Sequence, residues 1–156
     1  MDISKKMRKL EYYTNCYSNI FIKLYLIFLR LSYRKLSLKL GFSIPINVFG
    51  SGLAIVHYGT IVVNGNAKIG NNCRIQACTN IGASGGSKKA PLIEDNTYIG
   101  PGAKIYGDIQ LGDNIAIAAN SSVNKSFLDC SGIMLAGSPA KRVKEINIKR
   151  IIKHIK

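Results

Sequence analysis

Residues 93–123 read IEDNTYIGPGAKIYGDIQLGDNIAIAANSSV, and an aliphatic residue returns at every sixth position of this stretch. The same period extends upstream to Val63, so that ten of eleven successive positions are aliphatic and only Ser87 is not. The fourth residue after each of these positions is usually small or apolar, and Gly, Asn and Asp fill most turns between them. Such a short fixed period predicts a repeat architecture in which each coil buries its aliphatic residues against the next. A hexapeptide period indicates a parallel β-helix.

The stretch around Ser87 interrupts the pattern. Residues 82–91 read GASGGSKKAP, which is rich in glycine, polar and basic. This composition predicts a loop that leaves one coil of the repeat. Loops held on a rigid scaffold commonly carry function, so the loop is a candidate part of a functional site.

The net charge of +14 is concentrated at the two ends of the chain. Residues 1–40 hold nine Lys and Arg against two acids, residues 141–156 hold seven against one, and the repeat between them is nearly neutral. A protein that binds nucleic acid along its folded body would carry a basic stripe there, so we expect no nucleic-acid partner. The charge favours an anionic ligand or an anionic lipid surface at the ends.

The segment from residue 3 to residue 40 is predicted to be helical, because it lacks Gly and Pro and its apolar residues recur at spacings of three and four. Gly41 is expected to end it. Residues 20–31, IFIKLYLIFLRL, are strongly apolar, but Lys23 and Arg30 leave too short an uncharged run to span a bilayer. Two interpretations remain open: a basic amphipathic helix on an anionic membrane face, or a helix packed on the β-helix or on a partner chain.

The chain therefore divides into a basic amphipathic helical segment (1–41), a β-helix (42–140) and a basic tail (141–156) that is expected to be helical. Its four cysteines form no C-x-x-C pair, and we expect all four to be reduced thiols, with Cys73 at an inward position of the repeat. The start of the chain shows no signal-peptide pattern. A cytoplasmic location is expected, peripheral to the inner face of the plasma membrane if the helical segment binds lipid.

Two histidines are present, and His154 lies in the charged tail, where a solvated side chain is expected. Counted back by sixes from Val63, His57 falls on an aliphatic position. It is therefore either a hydrogen-bonded histidine of the core or a general base suited to neutral pH. A site with three histidine ligands is impossible with two histidines, and we expect no metal.

Three pieces of sequence carry a family resemblance: HYGTIVV at 57–63, IGPGAKIYG at 99–107 and AGSPAKR at 136–142. Together they resemble the hexapeptide-repeat acyltransferases, in particular the serine-acetyltransferase-like branch that includes capsule and exopolysaccharide O-acetyltransferases. The resemblance implies a mainly β fold, a left-handed parallel β-helix of hexapeptide repeats with an N-terminal α-helical segment and a short helical tail. It also implies a homotrimer whose active sites lie at subunit interfaces, with acetyl-CoA as co-substrate in the groove between two β-helices.

The same resemblance implies roles for individual residues. His57 would accept the proton of an acceptor hydroxyl, and backbone N–H groups would hold the oxyanion that forms. Gly102 and Ala119, at small turn positions, would line the path of the pantetheine arm. Lys141 and Arg142 would bind the phosphates of CoA, the alternative being a merely solvated basic tail.

Three departures from true serine acetyltransferases bear on the acceptor. That group carries a second histidine where this chain has Ala90, an acid where it has Val56, and an upstream aspartate where it has Phe42. Because these groups would bind serine or orient the catalytic histidine, their absence predicts a sugar hydroxyl as acceptor, in capsular or exopolysaccharide biosynthesis. The alternatives are a serine O-acetyltransferase of cysteine biosynthesis and a non-catalytic trimeric β-helix scaffold with His57 buried.

Overall fold

The computed structural model describes residues 3–129 and 131–153. Two helices, α1 (Ile3–Cys16) and α2 (Ile20–Leu40), come before a series of short strands, and a single turn of 3-10 helix (Ile148–Arg150) follows them. The strands are β1 (Phe42–Ser43), β2 (Ala54–Ile55), β3 (Ile61–Val63), β4 (Lys68–Ile69), β5 (Arg74–Ile75), β6 (Thr79–Gly82), β7 (Leu92–Ile93), β8 (Tyr98–Ile99), β9 (Lys104–Tyr106), β10 (Gln110–Leu111), β11 (Ile115–Ile117), β12 (Ser122–Val123), β13 (Ile133–Gly137) and β14 (Ala140–Glu145).

The strands form three sheets that enclose one interior. Sheet A holds β1, β3, β6, β9 and β12, sheet B holds β4, β7 and β10, and sheet C holds β2, β5, β8, β11, β13 and β14. Successive strands of the repeat visit the sheets in turn, and every described strand pair is parallel except β13 with β14. The parallel β-helix predicted from the hexapeptide period is therefore confirmed.

The six-residue period is the inward-facing set of this β-helix. All ten of its aliphatic residues are at most 4% exposed: Val63, Ile69, Ile75, Ile81, Ile93, Ile99, Ile105, Leu111, Ile117 and Val123. The positions four residues later are buried as well: Ala67, Cys73, Thr79, Thr97, Ala103, Ile109, Ile115 and Ser121. Full burial of one aliphatic side chain contributes about 1.5–3 kcal/mol, so these ten residues contribute strongly to the stability of the β-helix.

The loop at residues 82–91 inserts one hexad between two strands. Ile61 pairs with Thr79, 18 positions on, whereas Asn80 pairs with Lys104, 24 positions on. The coil that contains the loop is therefore longer by six residues, and the loop leaves the β-helix between β6 and β7. Ser87 lies in this loop and is exposed, which explains why the period continues by count although its residue there is polar.

Deletion of residues 84–89 is expected to leave the fold intact, with a melting temperature within a few degrees of the parent chain. The deletion leaves three residues between Gly82 and Leu92, the same number that separates their partners Tyr106 and Gln110. The one ion pair among the described residues that it removes, Lys89 with Asp108, is exposed and contributes little. Thermal unfolding followed by circular dichroism checks this, and deletion of residues 84–88, which shifts the register by one, should be clearly destabilising.

A polar cluster on α1 adds to the apolar packing of the helical segment on the first coil. The guanidinium of Arg8 donates to the carbonyls of Phe49 (2.9 Å) and Gly50 and pairs with the carboxylate of Glu11 at 2.8 Å. Glu11, which is buried, also accepts a hydrogen bond from the backbone N–H of Asn47 at 2.8 Å. These partly buried, well-paired contacts join α1 to the first coil of the β-helix.

The break between α1 and α2 has a local cause. Asn19 caps α2, because its side-chain oxygen accepts the N–H of Ile22 at 2.9 Å, and this splits the predicted helical segment in two. Gly41 ends α2 as expected, in the left-handed conformation at φ 77° with its N–H on the carbonyls of Ser37 and Leu38. Neither helix, nor any other helix in residues 3–129 and 131–153, is long and apolar enough to cross a membrane.

The basic tail differs from the predicted helix. Residues Ala140–Glu145 form β14, which runs antiparallel to β13, and one 3-10 turn is the only helical element that follows up to residue 153. The reason is a free sheet edge at the last coil, which β14 covers by hydrogen bonding. Ile148 and Ile152 then pack on Ala116, which faces outward from sheet C. The segment boundary placed after residue 140 falls within β14.

The described cysteines differ in exposure, which predicts a labelling pattern. Burial raises the pKa of the Cys73 thiol to about 12, whereas Cys16 and Cys78 are exposed; Cys130 lies outside the described residues. Since the thiolate is the reactive form, iodoacetamide at neutral pH is expected to modify Cys16 and Cys78 and to spare Cys73 until the chain is unfolded. Peptide mass mapping checks this, and equal labelling of Cys73 in the native chain would contradict its place in the core.

Candidate active site

The corners where the chain passes from sheet C to sheet A stack into one edge of the β-helix, here named the CA edge. It consists of residues 56–60, 76–78, 100–103 and 118–121, each from a successive coil. Coils lie one strand spacing apart, so the first and last of these corners are about 14 Å apart. Three of the predicted site residues, His57, Gly102 and Ala119, lie on this edge.

His57 lies on an exposed corner and not in the core. Ile55 pairs with Ile75 and Val63 pairs with Ile81, so eight residues separate the first two inward positions where six separate the second two. The two additional residues lengthen the corner and turn His57 outward. Counting back by sixes therefore misplaced it, and the interpretation as a buried core histidine is wrong.

A largely apolar pocket adjoins the corner that carries His57. It has a volume of about 340 Å³ and is lined by Ile3, Ser4, Leu40, Phe42, Ile55, Val56 and Tyr58, but not by His57 itself. Phe42 and Val56, two of the three departures noted above, both line this pocket. Within the described residues of one chain, no charged side chain lines it and no hydrogen bond fixes the imidazole ring. Tyr58, next to the histidine, is 79% exposed.

Gly102 and Ala119 lie on adjacent corners of the CA edge. Gly102 adopts φ 73°, a left-handed conformation that favours glycine, and its N–H donates to the carbonyl of Ala77 at 3.0 Å. A Cβ on Gly100 would lie 2.7 Å from the carbonyl oxygen of Ile117, so the coils approach too closely there for a side chain. Ala119 is exposed on the next coil, which leaves a smooth strip of backbone along the edge.

Sequence reasoning missed Cys78 on this edge and Lys104, the first residue of β9, next to it. Cys78 is exposed and left-handed at φ 61°, in the same corner position as Gly102, and equal spacing within the hexads was the available signal. The ammonium of Lys104 donates to the carbonyl of Cys78 at 2.7 Å. Lys104 therefore supports the corner between the coils of His57 and Gly102.

Lys141 and Arg142 lie beyond the last corner of the CA edge. They are exposed on β14, where Lys141 is opposite Ala136 and Arg142 is opposite Leu135. Leu135 pairs in turn with Ile117, the residue that leads into the corner of Ala119. The register therefore places both cations next to the end of the edge. Arg142 also pairs with Glu145 at 2.9 Å. Exposed ion pairs of this kind are weak, so this one does not prevent Arg142 from binding another anion.

The loop with Ala90 lies on a different edge, where sheet A passes the chain to sheet B. Ala90, half-buried, packs against the core. The ammonium of Lys89 lies 2.6 Å from a carboxylate oxygen of Asp108, and this hydrogen bond raises the pKa of Lys89 above its usual value. The loop of one chain is therefore separated from its own His57 by a face of the β-helix. Residues 3–129 and 131–153 also contain no cluster of His, Cys, Asp and Glu that fits a metal ion.

Comparison with known proteins supports the repeat assignment. The family described as Bacterial transferase hexapeptide (six repeats) matches residues 90–125. The chain carries the bacterial transferase hexapeptide repeat. Its period, inward aliphatic residues and three-sheet fold agree with that description.

Curated relatives of this hexapeptide-repeat chain include serine acetyltransferases. One from Synechococcus elongatus is 33% identical over 91 residues, which cover 56% of the chain and 37% of the relative. One from Mycobacterium tuberculosis is 35% identical over 83 residues, which cover 52% of the chain and 36% of the relative. The chain thus spans less than half the length of these curated relatives.

Solved structures of serine acetyltransferases resemble nearly the whole chain. The Neisseria gonorrhoeae structure gives a TM-score of 0.72 at 29% identity and covers 93% of this chain and 53% of that one. A Brucella abortus structure in complex with coenzyme A gives 0.69 at 28% identity and covers 92% and 55%. The similarity therefore includes the helical segment.

These comparisons correct the predicted acceptor. The sugar-acceptor prediction, with its role in polysaccharide biosynthesis, is wrong, because the relatives and the solved structures are serine acetyltransferases. The prediction rested on Phe42, Val56 and Ala90, which stand where serine acetyltransferases carry ionisable residues. Groups that bind an acceptor can come from other positions or another protomer, so missing side chains in one chain are weak evidence on the acceptor.

Proposed function

We propose that this chain is an acetyl-CoA-dependent O-acetyltransferase that transfers the acetyl group to the hydroxyl of L-serine. The observation that carries the proposal is the CA edge, where an exposed His57 stands at one end of a smooth strip that ends near two cations. The choice of L-serine as acceptor and acetyl-CoA as co-substrate is supported by the similarity to serine acetyltransferases, one of which was solved in complex with coenzyme A. A cytoplasmic location stays a prediction from the sequence.

His57 acts as general base in this proposal. Its imidazole takes the proton of the serine hydroxyl as the oxygen attacks the thioester carbonyl, and it returns a proton to the departing thiolate of CoA. Backbone N–H groups of the CA edge stabilise the negative charge that develops on the carbonyl oxygen. Because no hydrogen bond from residues 3–129 or 131–153 orients the ring, a group of the acceptor or of a neighbouring protomer completes the site.

Acetyl-CoA binds along the CA edge. The pantetheine arm needs close approach to backbone, which Gly102 and Ala119 permit because neither presents a side chain beyond Cβ. The phosphates need cations, which Lys141 and Arg142 present at the end of the edge. Because CoA is a long molecule with its thiol at one end and its phosphates towards the other, the base and the cations are expected to lie on different coils.

A Lys141→Ala, Arg142→Ala double variant is expected to weaken CoA binding at least about tenfold, since charge-assisted hydrogen bonds contribute about 1.5–3 kcal/mol each. Isothermal titration calorimetry at low and high salt measures the loss, which should shrink as salt screens the charges. The matched control is Lys144→Ala with Lys149→Ala, two exposed cations away from the edge. Equal weakening in both double variants would remove Lys141 and Arg142 from the site.

We also propose that the chain assembles as a homotrimer with its sites between subunits. Within the described residues, the pocket next to the corner of His57 has no charged side chain in its lining, and no hydrogen bond orients the imidazole, so we infer that a second protomer completes the site. Sedimentation equilibrium should give three times the chain mass of 17.1 kDa. A monomer that is fully active would contradict the shared site.

The acceptor is tested by measuring thiol release from acetyl-CoA with L-serine, D-serine, L-threonine and a sugar alcohol as acceptors. L-serine is expected to give the highest kcat/KM, and mass spectrometry should identify O-acetylserine. Thermal stabilisation by acetyl-CoA separates two failures: at 100 times Kd the co-substrate should add about 2.7 kcal/mol even if the acceptor is wrong. Stabilisation without turnover of L-serine would overturn the acceptor, and no stabilisation would overturn the transferase.

A further inference from the structure

The outward face of α2 is an apolar stripe that nothing in the described chain covers. Six of its residues are between 56% and 71% exposed: Ile20, Leu24, Ile27, Phe28, Leu31 and Leu38. The opposite face, which includes Leu26 and Tyr33, packs against α1 and the first coil. The apolar stripe is therefore surplus to the fold, since its residues take no part in the core.

Exposed cations border this stripe on both sides. At about 100° per residue, Lys23, Arg30 and Arg34 project along one side of the stripe and Lys35 and Lys39 along the other. The helix contains no acidic residue. An apolar centre with basic margins is the pattern of a helix that lies in the interface of an anionic membrane.

A cleft between α1 and α2 opens beside the stripe. It encloses about 310 Å³ and is lined by Lys6, Lys9, Tyr25, Phe28, Leu29 and Ser32. The ammonium of Lys9 lies 5.6 Å from the centre of the Tyr25 ring, and that of Lys6 donates to the Ser32 hydroxyl at 2.5 Å. The cleft therefore places two more cations next to an apolar wall. This arrangement complements an anionic lipid, whose charged headgroup would contact the cations and whose acyl chain would contact the wall.

We propose that α2 docks the protein on the surface of a bilayer rich in anionic lipids, with the helix axis along the surface. The positive charge along α2 favours a membrane over a second copy of the chain as the partner of the apolar stripe. Two such faces brought together would oppose five cations with five cations and no acid on either helix. A negatively charged surface complements all of them, and Lys and Arg stems extend past the apolar residues to reach phosphates.

The proposal goes beyond acetyl transfer and does not depend on it. The chain of residues 1–156 is sedimented with vesicles of phosphatidylcholine alone or mixed with phosphatidylglycerol. Binding to the mixed vesicles is expected, with little binding to phosphatidylcholine alone, and salt should weaken it. Circular dichroism first establishes that each variant is folded, and CoA binding is measured alongside as an independent readout.

Two variants with matched controls locate the contact. Replacing Lys23, Arg30 and Arg34 by Gln is expected to weaken vesicle binding about a hundredfold, since each cation near an anionic surface contributes a factor of about five. Replacing Lys125, Lys144 and Lys149 by Gln removes the same charge elsewhere and should change it little. Leu24→Ser with Phe28→Ser should weaken binding at least about tenfold, and Leu128→Ser with Val143→Ser, equally exposed elsewhere, should not.

Three outcomes would overturn the proposal. The first is the absence of binding to mixed vesicles by the parent chain. The second is equal weakening by the two triple charge variants, which would reduce binding to diffuse net charge. The third is a lower mass in sedimentation equilibrium for Leu24→Ser with Phe28→Ser, because it would show that a second copy covers the stripe.

Discussion

Replacing His57 by alanine is expected to lower the kcat of acetyl transfer by about 10²–10⁴, the contribution of a positioned general base. The effect should fall on kcat and leave CoA binding unchanged, because the imidazole acts on the acceptor hydroxyl and not on the CoA phosphates. Stability should also be unchanged, since the side chain is exposed and makes no hydrogen bond within the described residues of one chain. Thiol release at saturating acetyl-CoA measures the rate.

Thr60→Ala is the matched control for His57, because Thr60 is exposed on the same corner and has no proposed role. His57→Gln distinguishes the role further: glutamine can donate and accept hydrogen bonds but cannot take the proton at neutral pH, so it should be as inactive as alanine. A His57→Ala enzyme with parental kcat would exclude the histidine as base. An active glutamine variant would make it a positioning residue.

Replacing Ile99 by alanine is expected to lower the free energy of unfolding by about 2–5 kcal/mol. Ile99 is fully buried and pairs on both sides, with Ile75 on the coil before and Ile117 on the coil after. Both neighbouring coils are held by parallel hydrogen-bonded strands, so their side chains cannot move into the cavity that the substitution leaves. The loss of unfolding free energy should therefore lie towards the upper end of this range. Urea unfolding measures the free energy.

Val62→Ala is the control for this experiment. Val62 belongs to a strand of the same β-helix but points outward and is 37% exposed, between the buried Ile61 and Val63. Its truncation removes a methyl pair that is already partly hydrated, so a loss below about 1 kcal/mol is expected. Equal losses for Ile99 and Val62 would contradict the inward phase of the hexad.

The sequence determines this fold because each hexad corresponds to one structural unit, a strand with its corner. Once the register is set, the position of a residue within its hexad decides whether it faces inward, as for Ile105 and Ile117. The loop could be predicted for the same reason, since Ser87 is a polar residue in an aliphatic position. The size of the loop insertion, one whole hexad, became visible only from the strand pairing across it.

The candidate site depended on tertiary structure. His57 was identified from a family pattern, but its exposure follows from two additional residues in one corner, which the count by sixes cannot detect. Lys104 of β9 contacts Cys78 of the CA edge only because successive coils stack. The basic tail was expected to be a helix, and the free edge of β13 made it a strand instead.

The sequence by itself determined the β-helix, its inward residues, the loop and the helical segment, because each follows from local periodicity or composition. Tertiary structure decided which corners meet along one edge, that His57 faces solvent, and that α2 buries one face and leaves a basic-bordered apolar stripe on the other. These features join residues far apart in the chain. Their physical reason is the stacking of coils and the packing of helices on the first coil, which set distances that no short stretch of sequence encodes.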